Sequence, residues 1–340
     1  MLVAYSLGYT LNLSTATFES TGGIFIKSQT PRLAVFLDGA FVKETGFITG
    51  STLLTDVAPG VHLIRLEKPD FRPWSKTIAV GPTAVTELRS VVLVPYRLAI
   101  ATSTAAELAA IRATSTAPQT FAIDKAGNLV AGRGIQAKKI AENVHSFAAI
   151  DNAVFFVGQN GFLARYASDS QELATIGRPG FFLDKEPLRF VAGAGIFAII
   201  DSTGGLFLYD EASRVVTPVT SEVREVAFDT EEEKLLIAKE QGIEILWLKD
   251  NTYQPFQPKG MIEAIVTETT PIREAHWYYG TDAHAVYRTR QGVFLTETDT
   301  RGGGNTVQLL DSPGDELIPS PAFPNAIFYK KGKTVFKIEL

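Results

Sequence analysis

The sequence contains no cysteine at all. This absence excludes disulfide bridges, thiolate nucleophiles and thiolate metal ligands. The sequence also has no excess of basic residues, since it contains 32 Lys and Arg and 37 Asp and Glu. The resulting net charge of −5 gives the backbone of a nucleic acid no electrostatic attraction, so nucleic acid is not an expected partner. Long apolar runs are also lacking, since no stretch reaches the roughly 20 residues that a membrane-spanning helix needs.

The chain does contain a repeat. Six units, each made of an apolar run, a turn with glycine and a second apolar run, occupy its last two thirds. They are Phe121–Ala131, Val154–Tyr166, Ile196–Tyr209, Lys234–Leu248, Ala285–Thr296 and Ala326–Leu340. Five intervals separate the first turn glycine, Gly127, from the last, Gly332, so the mean spacing is 41 residues. Such a spacing is typical of the four-stranded blade of a β-propeller.

Further strand-like runs flank these hairpins. They are Val144–Ile150, Leu188–Ala192, Val223–Phe228 and Arg273–Tyr279 before the hairpins, and Glu172–Ile176, Arg214–Val219 and Thr306–Leu310 after them. The pattern predicts a β-propeller of about six blades over residues 97–340, and it resembles propellers of the WD40-like and TolB-like kind. The last hairpin reaches Leu340, so a closed ring requires an early segment such as Arg97–Ala101 as the outer strand of the last blade.

The segment Ala99–Pro118 is rich in Ala, Thr and Ser. Thr104 and Glu107 have the spacing of a capping box, which predicts a short helix. A Ser/Thr-rich linker and an irregular blade strand are the two alternatives, and a seventh blade could begin here. None of these structures implies any chemistry.

A different pattern runs from Gly22 to about Pro95. Apolar residues alternate with polar ones, and the turn signals Asp38-Gly39 and Pro59-Gly60 interrupt them. This spacing predicts a small antiparallel β-sandwich of six or seven strands, with Phe71 and Trp74 packed beneath a sheet.

Several of these residues carry a resemblance to a known family. They are Val35-Phe36-Leu37-Asp38-Gly39, then Val57-Ala58-Pro59-Gly60-Val61-His62, and Pro69–Trp74. Together they resemble the PEGA domain, although Pro31-Arg32-Leu33-Ala34 keeps only the outer two residues of the namesake tetrapeptide. The resemblance covers residues 22–96. It implies a non-catalytic sandwich of bacterial and archaeal envelope proteins, usually placed beside a membrane anchor.

The first 21 residues form a third region. Met1–Leu13 is mostly apolar but lacks the basic start and the cleavage site of a secretion signal. It resembles the end of a membrane helix whose beginning is missing, so the membrane is an expected partner through a missing or truncated N-terminal helix. An N-terminal strand or arm that packs on the neighbouring domain is the alternative.

Catalytic and metal-binding signals are weak. If Gly280–Ala283 is a turn, His284 lies opposite Tyr279, and His276 and His284 point to opposite faces, which disfavours a metal site. The acidic run Asp229–Glu233 lacks the ligand spacing of a calcium loop and predicts a solvated turn. Gly302-Gly303-Gly304 is expected to be a flexible connection, because no phosphate-binding motif follows it. We expect no metal and no cofactor.

Surface turns are the better candidates for function. The proposed binding residues at the tips of the propeller turns, at the mouth of the central channel, are Asn160, Asp201, Lys239, Arg290, Gln291, Lys330 and Lys331. Aromatic residues near loops could add stacking surfaces for sugars or peptides, although core packing is the commoner fate of such residues. These are Tyr253, Phe256, Trp277 and Tyr278.

The expected function is therefore a non-catalytic cell-envelope binding or scaffold protein, extracytoplasmic and membrane-associated, with a protein or a cell-envelope glycan as partner. One alternative is a propeller-fold glycan lyase or glycoside hydrolase, in which the fold brings together carboxylates such as Asp201, Asp229 and Glu297. Another is a purely structural protein whose ring spaces the sandwich from a second subunit.

Overall fold

The structure is a computed structural model that describes residues 9–12, 17–114, 121–132, 137–150, 153–177, 188–193 and 195–340. The chain divides into two compact units. The first combines the chain up to Ser103 with Gln241–Leu340, and the second is Thr104–Glu240. Every sheet consists of short strands, and the fold is all-β apart from one short helix in the described residues.

The N-terminal part of the first unit contains a strand pair and two larger sheets. The pair is β1 (Tyr9–Asn12) with β2 (Thr17–Ser20). The other strands are β3 (Gly22–Ser28), β4 (Ala34–Leu37), β5 (Ala40–Glu44), β6 (Ser51–Val57), β7 (Gly60–Glu67), β8 (Trp74–Val80) and β9 (Val85–Val91). One sheet has the order β6-β3-β9, and the other has the order β5-β4-β7-β8.

The two sheets share one apolar core. Ile24 and Ile26 of β3 meet Ile64 and Leu66 of β7, and all four side chains are fully buried. Burial of such a side chain stabilises the fold by roughly 1.5–3 kcal/mol. The alternating pattern of β8 places Trp74 in this core, and Phe71 packs against it, as the sequence predicts.

The prediction of a purely antiparallel sandwich is wrong in one place. Strand β3 pairs with β6 in antiparallel fashion but with β9 in parallel fashion. The strands of the four-stranded sheet, β4, β5, β7 and β8, lie between β3 and β9 along the chain. The chain therefore returns to β3 by a crossover and not by a hairpin.

The two turn motifs of this region lie close together. Asp38 and Gly39 have φ angles of 51° and 85° and form the predicted hairpin between β4 and β5. The His62 ring meets two acceptors, the Asp38 carboxylate through Nδ1 and the Ala58 carbonyl through Nε2, both at 2.7 Å. The hydrogen bond to Asp38 raises the pKa of His62, because it stabilises the protonated ring.

The remainder of the first unit is built from four-stranded antiparallel sheets. Strands β26 (Glu274–Trp277), β27 (His284–Thr289), β28 (Gly292–Glu297) and β29 (Thr306–Leu310) form one sheet in chain order. The next has the order β10-β32-β31-β30, from β10 (Ala99–Thr102), β30 (Glu316–Ile318), β31 (Ala326–Lys331) and β32 (Thr334–Glu339). The predicted use of an early segment as the outer strand of the last sheet is therefore confirmed, because β10 pairs with β32.

The second unit repeats the same strand order. Its helix is α1 (Ala105–Thr114), and its first sheet has β11 (Phe121–Ile123), β12 (Leu129–Ala131) and β13 (Lys138–Ala141). Two four-stranded sheets follow, each in chain order. The first has β14 (Val144–Ile150), β15 (Ala153–Gly158), β16 (Leu163–Ala167) and β17 (Leu173–Gly177). The second has β18 (Arg189–Ala192), β19 (Ile196–Ile200), β20 (Leu206–Asp210) and β21 (Val215–Thr220).

The boundary between the units falls inside another strand group. Strands β22 (Val223–Phe228) and β23 (Lys234–Lys239) pair in the second unit, and β24 (Gly242–Trp247) and β25 (Ile262–Thr267) pair in the first. Six such groups, one of them with three strands, recur in the described residues, which is consistent with a β-propeller. The Thr104–Glu107 capping box precedes α1, so the predicted helix is present, whereas Ala99–Thr102 at the start of the same segment forms strand β10. Residues 115–118 of the segment lie outside the described part.

Strand β1 shows that Tyr9–Asn12 is extended, whereas the rest of the predicted Met1–Leu13 segment lies outside the described residues. Within the described part of the chain, no helix is both long enough and apolar enough to cross a membrane.

Candidate interaction surfaces

The candidate binding residues occupy equivalent positions in successive strand groups. Each lies in, or at the edge of, the turn that joins the second strand of its group to the third. Asn160, Asp201 and Lys239 belong to the second unit, and Arg290, Gln291, Lys330 and Lys331 belong to the first. The repeated strand order therefore places them at corresponding ends of their sheets.

In the second unit these side chains mainly stabilise the turns themselves. The Asp201 side chain is buried, and its Oδ1 accepts hydrogen bonds from the amides of Thr203 and Gly205 at 2.8 Å. Asn160 Oδ1 accepts from the Phe162 amide, and Lys239 Nζ donates to Thr220 Oγ1 at 3.0 Å. A structural role accounts for these contacts.

In the first unit the turn residues are more available. Arg290, Gln291 and Lys331 are exposed, and neither cation forms an ion pair with a described residue. Lys330 is half-buried and lies 3.7 Å from Glu316. Of the seven candidates, Asn160, Arg290, Gln291 and Lys331 are exposed, and Asn160 differs from the other three because its side chain accepts a hydrogen bond within its own turn.

The four candidate aromatic residues divide into two pairs. Trp277 and Tyr278 are buried, which agrees with the expectation of core packing and leaves them no stacking surface. Tyr253 and Phe256 lie in the connection between β24 and β25 and are 48% and 67% exposed, which leaves them able to stack on a ligand. The Arg89 guanidinium lies 5.4 Å from the centre of the Tyr253 ring.

The predicted register of the histidine hairpin is wrong by one residue. His276 pairs with Val286, and the Tyr278 amide donates to the His284 carbonyl. Because paired residues share a face of the sheet, His276 and His284 lie on the same face and not on opposite ones. Among the described residues, no group of three or more acidic or histidine side chains is arranged to hold a metal ion.

The carboxylates considered for catalysis each have a structural contact. Asp229 Oδ1 accepts from the amides of Glu233 and Lys234, so the acidic run forms the predicted turn, around a buried aspartate. Asp201 has a similar role in its own turn. Glu297 lies in the other unit.

Glu297 forms a buried ion pair with Lys76 of the sandwich. Lys76 occupies an inward position of β8, the edge strand of its sheet, and its Nζ also donates to the Asp299 carbonyl at 2.6 Å. The Asn305 amide and side chain donate to Glu297 Oε1 at 2.9 and 2.8 Å. The hydrogen bonds to this carboxylate from Lys76 and Asn305 all come from donors, which favours its charged form.

Burial acts against the charged forms at this junction. It raises the pKa of Glu297, although Lys76 and Asn305 act in the opposite direction. It also lowers the pKa of the fully buried His284 to about 3, with a smaller contribution from the positive charge of Lys76. The junction is therefore a desolvated structural contact, with His284 neutral at physiological pH.

Two more side chains cover the edge of the sandwich. Gln254 Nε2 donates to the Val85 carbonyl at 2.8 Å, and its Oε1 accepts from the Glu87 amide at 3.1 Å. The Gln254 amide thus occupies the place of a neighbouring strand beside β9. Arg301 Nη2 donates to the Glu87 carbonyl at 2.7 Å. We call the edge formed by β8 and β9 the sealed edge.

The triple glycine is part of the same contact. A Cβ atom at Gly302 would lie 1.7 Å from the Thr77 carbonyl oxygen, so the chain approaches β8 more closely than any other residue permits. The expectation of a merely flexible connection missed this packing. A lysine in the apolar alternation Trp74, Lys76, Ile78 was the signal in the sequence that a buried partner exists.

The opposite edge of the sandwich, formed by β5 and β6, is called the open edge. Every residue of β5 is exposed, including Phe41 and Val42. A single described side-chain contact bridges β5 and β6 there, from Lys43 Nζ to the Leu53 carbonyl at 2.7 Å.

Comparison with known proteins gives distant structural likenesses. No protein-family model matches the chain, and no curated protein matches it. YCF48 from Cyanidioschyzon merolae is 10% identical, with a TM-score of 0.43 over 94% of this chain and 96% of that one. PorZ, a bacterial surface component of the type-IX secretion system of Porphyromonas gingivalis, is 15% identical, with a TM-score of 0.40 over 66% of this chain.

A chain of the COPII coat assembled on membranes is 12% identical, with a TM-score of 0.39 over 65% of this chain. The present chain spans 36% of the length of that coat protein and 32% of the length of PorZ. The fold assignment rests on the sheets of the chain itself.

Proposed function

We propose that this chain is a non-catalytic binding or scaffold protein of the cell envelope, which binds a protein or glycan through the turns of its four-stranded sheets. The observation that carries the proposal is the contrast between buried and exposed charges. The buried carboxylates Asp201, Asp229 and Glu297 accept hydrogen bonds within the fold. Arg290 and Lys331 at exposed turns have no ion-pair partner among the described residues.

The chemistry of these turns favours recognition over catalysis. Arg290 offers a planar set of donors, Gln291 offers an amide, and Lys331 offers a mobile ammonium group. Such groups bind the carboxylates of peptides and the hydroxyl or acidic groups of glycans. The PEGA-like turn motifs support the placement in the envelope, and the sealed edge supports the scaffold role because it fixes the sandwich to strands β26–β29.

The test is binding of the soluble full chain to an array of synthetic peptides and an array of envelope glycans. The double variant Arg290→Ala/Lys331→Ala is expected to lose about tenfold or more in affinity for the ligands that bind, because each charged hydrogen bond contributes about 1.5–3 kcal/mol. The matched control is Lys259→Ala, which removes another exposed cation. Binding that is equal in both variants, or no binding to either array, would overturn the proposal.

A further inference from the structure

The most exposed large apolar side chain of the described structure is Ile48, which is 89% exposed. Its neighbour Phe47 is 64% exposed. Both lie at the tip of the loop that joins β5 to β6, which we call the tip loop, residues 45–50. Two adjacent large apolar side chains that are this exposed face water in the isolated chain, and exposed apolar patches can mark membrane or protein interaction sites.

The tip loop is rigidly held at its base. The Gly50 amide donates to the Gly46 carbonyl at 3.1 Å, and the Gly46 amide donates to the Ser51 carbonyl at 2.9 Å. Gly50 itself has φ of 62° and packs so closely on β3 that a Cβ atom there would lie 2.2 Å from the Ser28 carbonyl oxygen. The exposure of Phe47 and Ile48 is therefore a property of an ordered turn.

Cations gather around this end of the sandwich. The Arg32 guanidinium lies 4.2 Å from the centre of the Phe47 ring, and Lys27 pairs with Ser51 directly beneath the loop. Lys43 and Lys68 project from adjoining strand ends, where their Nζ atoms donate to backbone carbonyls. None of these four cations forms an ion pair within the described part of the chain.

Acidic groups at this end are fewer. Glu44 ends β5 beside the loop and is exposed, and Glu67 on the far side of β4 pairs with Arg65. The balance around the tip is therefore positive, although the chain as a whole carries a net charge of −5. A local positive charge on an acidic protein orients it towards a negative surface.

We propose that the tip loop is a membrane-docking element, in which Phe47 and Ile48 insert into the interfacial layer of a bilayer while Arg32 and Lys27 meet anionic lipid headgroups. A convex apolar tip surrounded by cations matches the two contributions that bind peripheral proteins to membranes, which are apolar insertion and attraction to anionic lipids. A bilayer accepts a convex tip without a preformed cavity. The proposal does not depend on the turns that contain Arg290 and Lys331.

The test is co-sedimentation of the full chain with vesicles of phosphatidylcholine alone and of phosphatidylcholine mixed with phosphatidylglycerol. The wild type is expected to bind the mixed vesicles more tightly. The variant Phe47→Ser/Ile48→Ser is expected to partition into the vesicles on the order of tenfold or more weakly, because the free energy of membrane binding increases with the apolar area that leaves water. The variant Lys27→Gln/Arg32→Gln is expected to lose about fivefold per cation on the mixed vesicles only.

The matched control is Val61→Ser/Leu63→Ser, which removes two exposed apolar side chains from β7 of the same sandwich. It is expected to partition like the wild type. Absence of wild-type binding to mixed vesicles, or equal losses in the tip-loop and β7 variants, would overturn the proposal. Circular dichroism and thermal melting show whether each variant is folded. If the tip loop binds an acidic protein and not a membrane, the wild type will not bind the vesicles.

Discussion

The two edges of the sandwich differ in whether their edge strands are covered by other parts of the chain. At the sealed edge, Gln254 and Arg301 bond to the backbone of β9, and Lys76 pairs with Glu297. At the open edge, β5 is exposed along its whole length, and Lys43 provides a single bridge to β6. Unpaired strand edges favour association, so a protein must cover them, charge them or use them.

The two edges are therefore expected to contribute differently to stability and to interaction. The sealed edge contains desolvated charges whose loss leaves an unpaired partner, so its residues determine folding. The open edge and the adjoining tip loop contain exposed side chains with few internal contacts, so we expect changes there to alter the free energy of unfolding only slightly.

The largest effect is expected from Lys76→Met, which leaves Glu297 buried without its cation. The free energy of unfolding should fall by about 3–5 kcal/mol. Denaturant unfolding followed by tryptophan fluorescence measures this change. The control Arg65→Met removes the exposed pair with Glu67 and should cost about 1 kcal/mol or less. Equal costs at both positions would show that the ion pair at the sealed edge is not desolvated.

The second effect concerns the close approach at Gly302. Gly302→Ala should destabilise the protein by about 3 kcal/mol, since the new Cβ atom would collide with the Thr77 carbonyl and the residue has φ of 64°. Gly303→Ala is the matched control, because Gly303 has φ of 93° but nothing within 4 Å of its Cβ position. Its cost should be only about 1–2 kcal/mol for the left-handed backbone. Thermal melting measures the stability of both variants. Equal stability would contradict the close approach of Gly302 to the Thr77 carbonyl.

A third effect, smaller for each pH unit, depends on pH and involves His284. The folded protein keeps this ring neutral down to its pKa of about 3, whereas the unfolded chain binds a proton near pH 6.5. The unfolded state therefore binds more protons between these values, and stability falls as the pH falls from about 6.5 towards 3.

His284→Gln should remove this contribution, so its stability should decline less steeply over that range, by up to about 1.4 kcal/mol per pH unit. The raised pKa of Glu297 acts in the opposite direction, since its contribution is lost as the pH rises above 4.5, and it is present in both proteins. Chemical unfolding at several pH values measures the two slopes. Parallel slopes would show that His284 is not desolvated.

The smallest effect is expected at the open edge. Val42→Lys adds a charge to an exposed position of β5 and should change the free energy of unfolding by less than about 0.5 kcal/mol. Denaturant unfolding provides the measurement. A loss as large as that of Gly302→Ala would mean that β5 is covered and that the two edges do not differ.

Much of the fold could be predicted because its signals are local. Glycine turns between apolar runs determine the hairpins, and the incomplete last hairpin implied the strand that β10 supplies. The parallel pairing of β3 and β9 was missed, because hydrophobic alternation does not indicate strand direction. The register of the histidine hairpin was wrong by one residue because Tyr278 pairs with His284, so the turn includes Tyr279 as well as Gly280–Ala283.

The site was less predictable than the fold. Lys76 and Glu297 lie 221 positions apart in the sequence, and nothing in the residues around either one identifies the other. The exposure of Phe47 and Ile48 was likewise hidden, since an apolar pair next to a strand is more often buried. Burial of Trp277 and Tyr278 shows the same limit, because aromatic residues near a turn can belong to the core or to the surface.

The pairing of β10 with β32 has a consequence for the synthesis of this protein. Ala99 is bonded to a strand that contains Glu339, so β10 leaves the ribosome 240 residues before its partner. At ordinary elongation rates of about 5–20 residues per second, the nascent strand waits on the order of 10 to 50 s without its neighbour. The completion of its sheet is therefore set by translation time, and β10 lacks its partner strand throughout that interval.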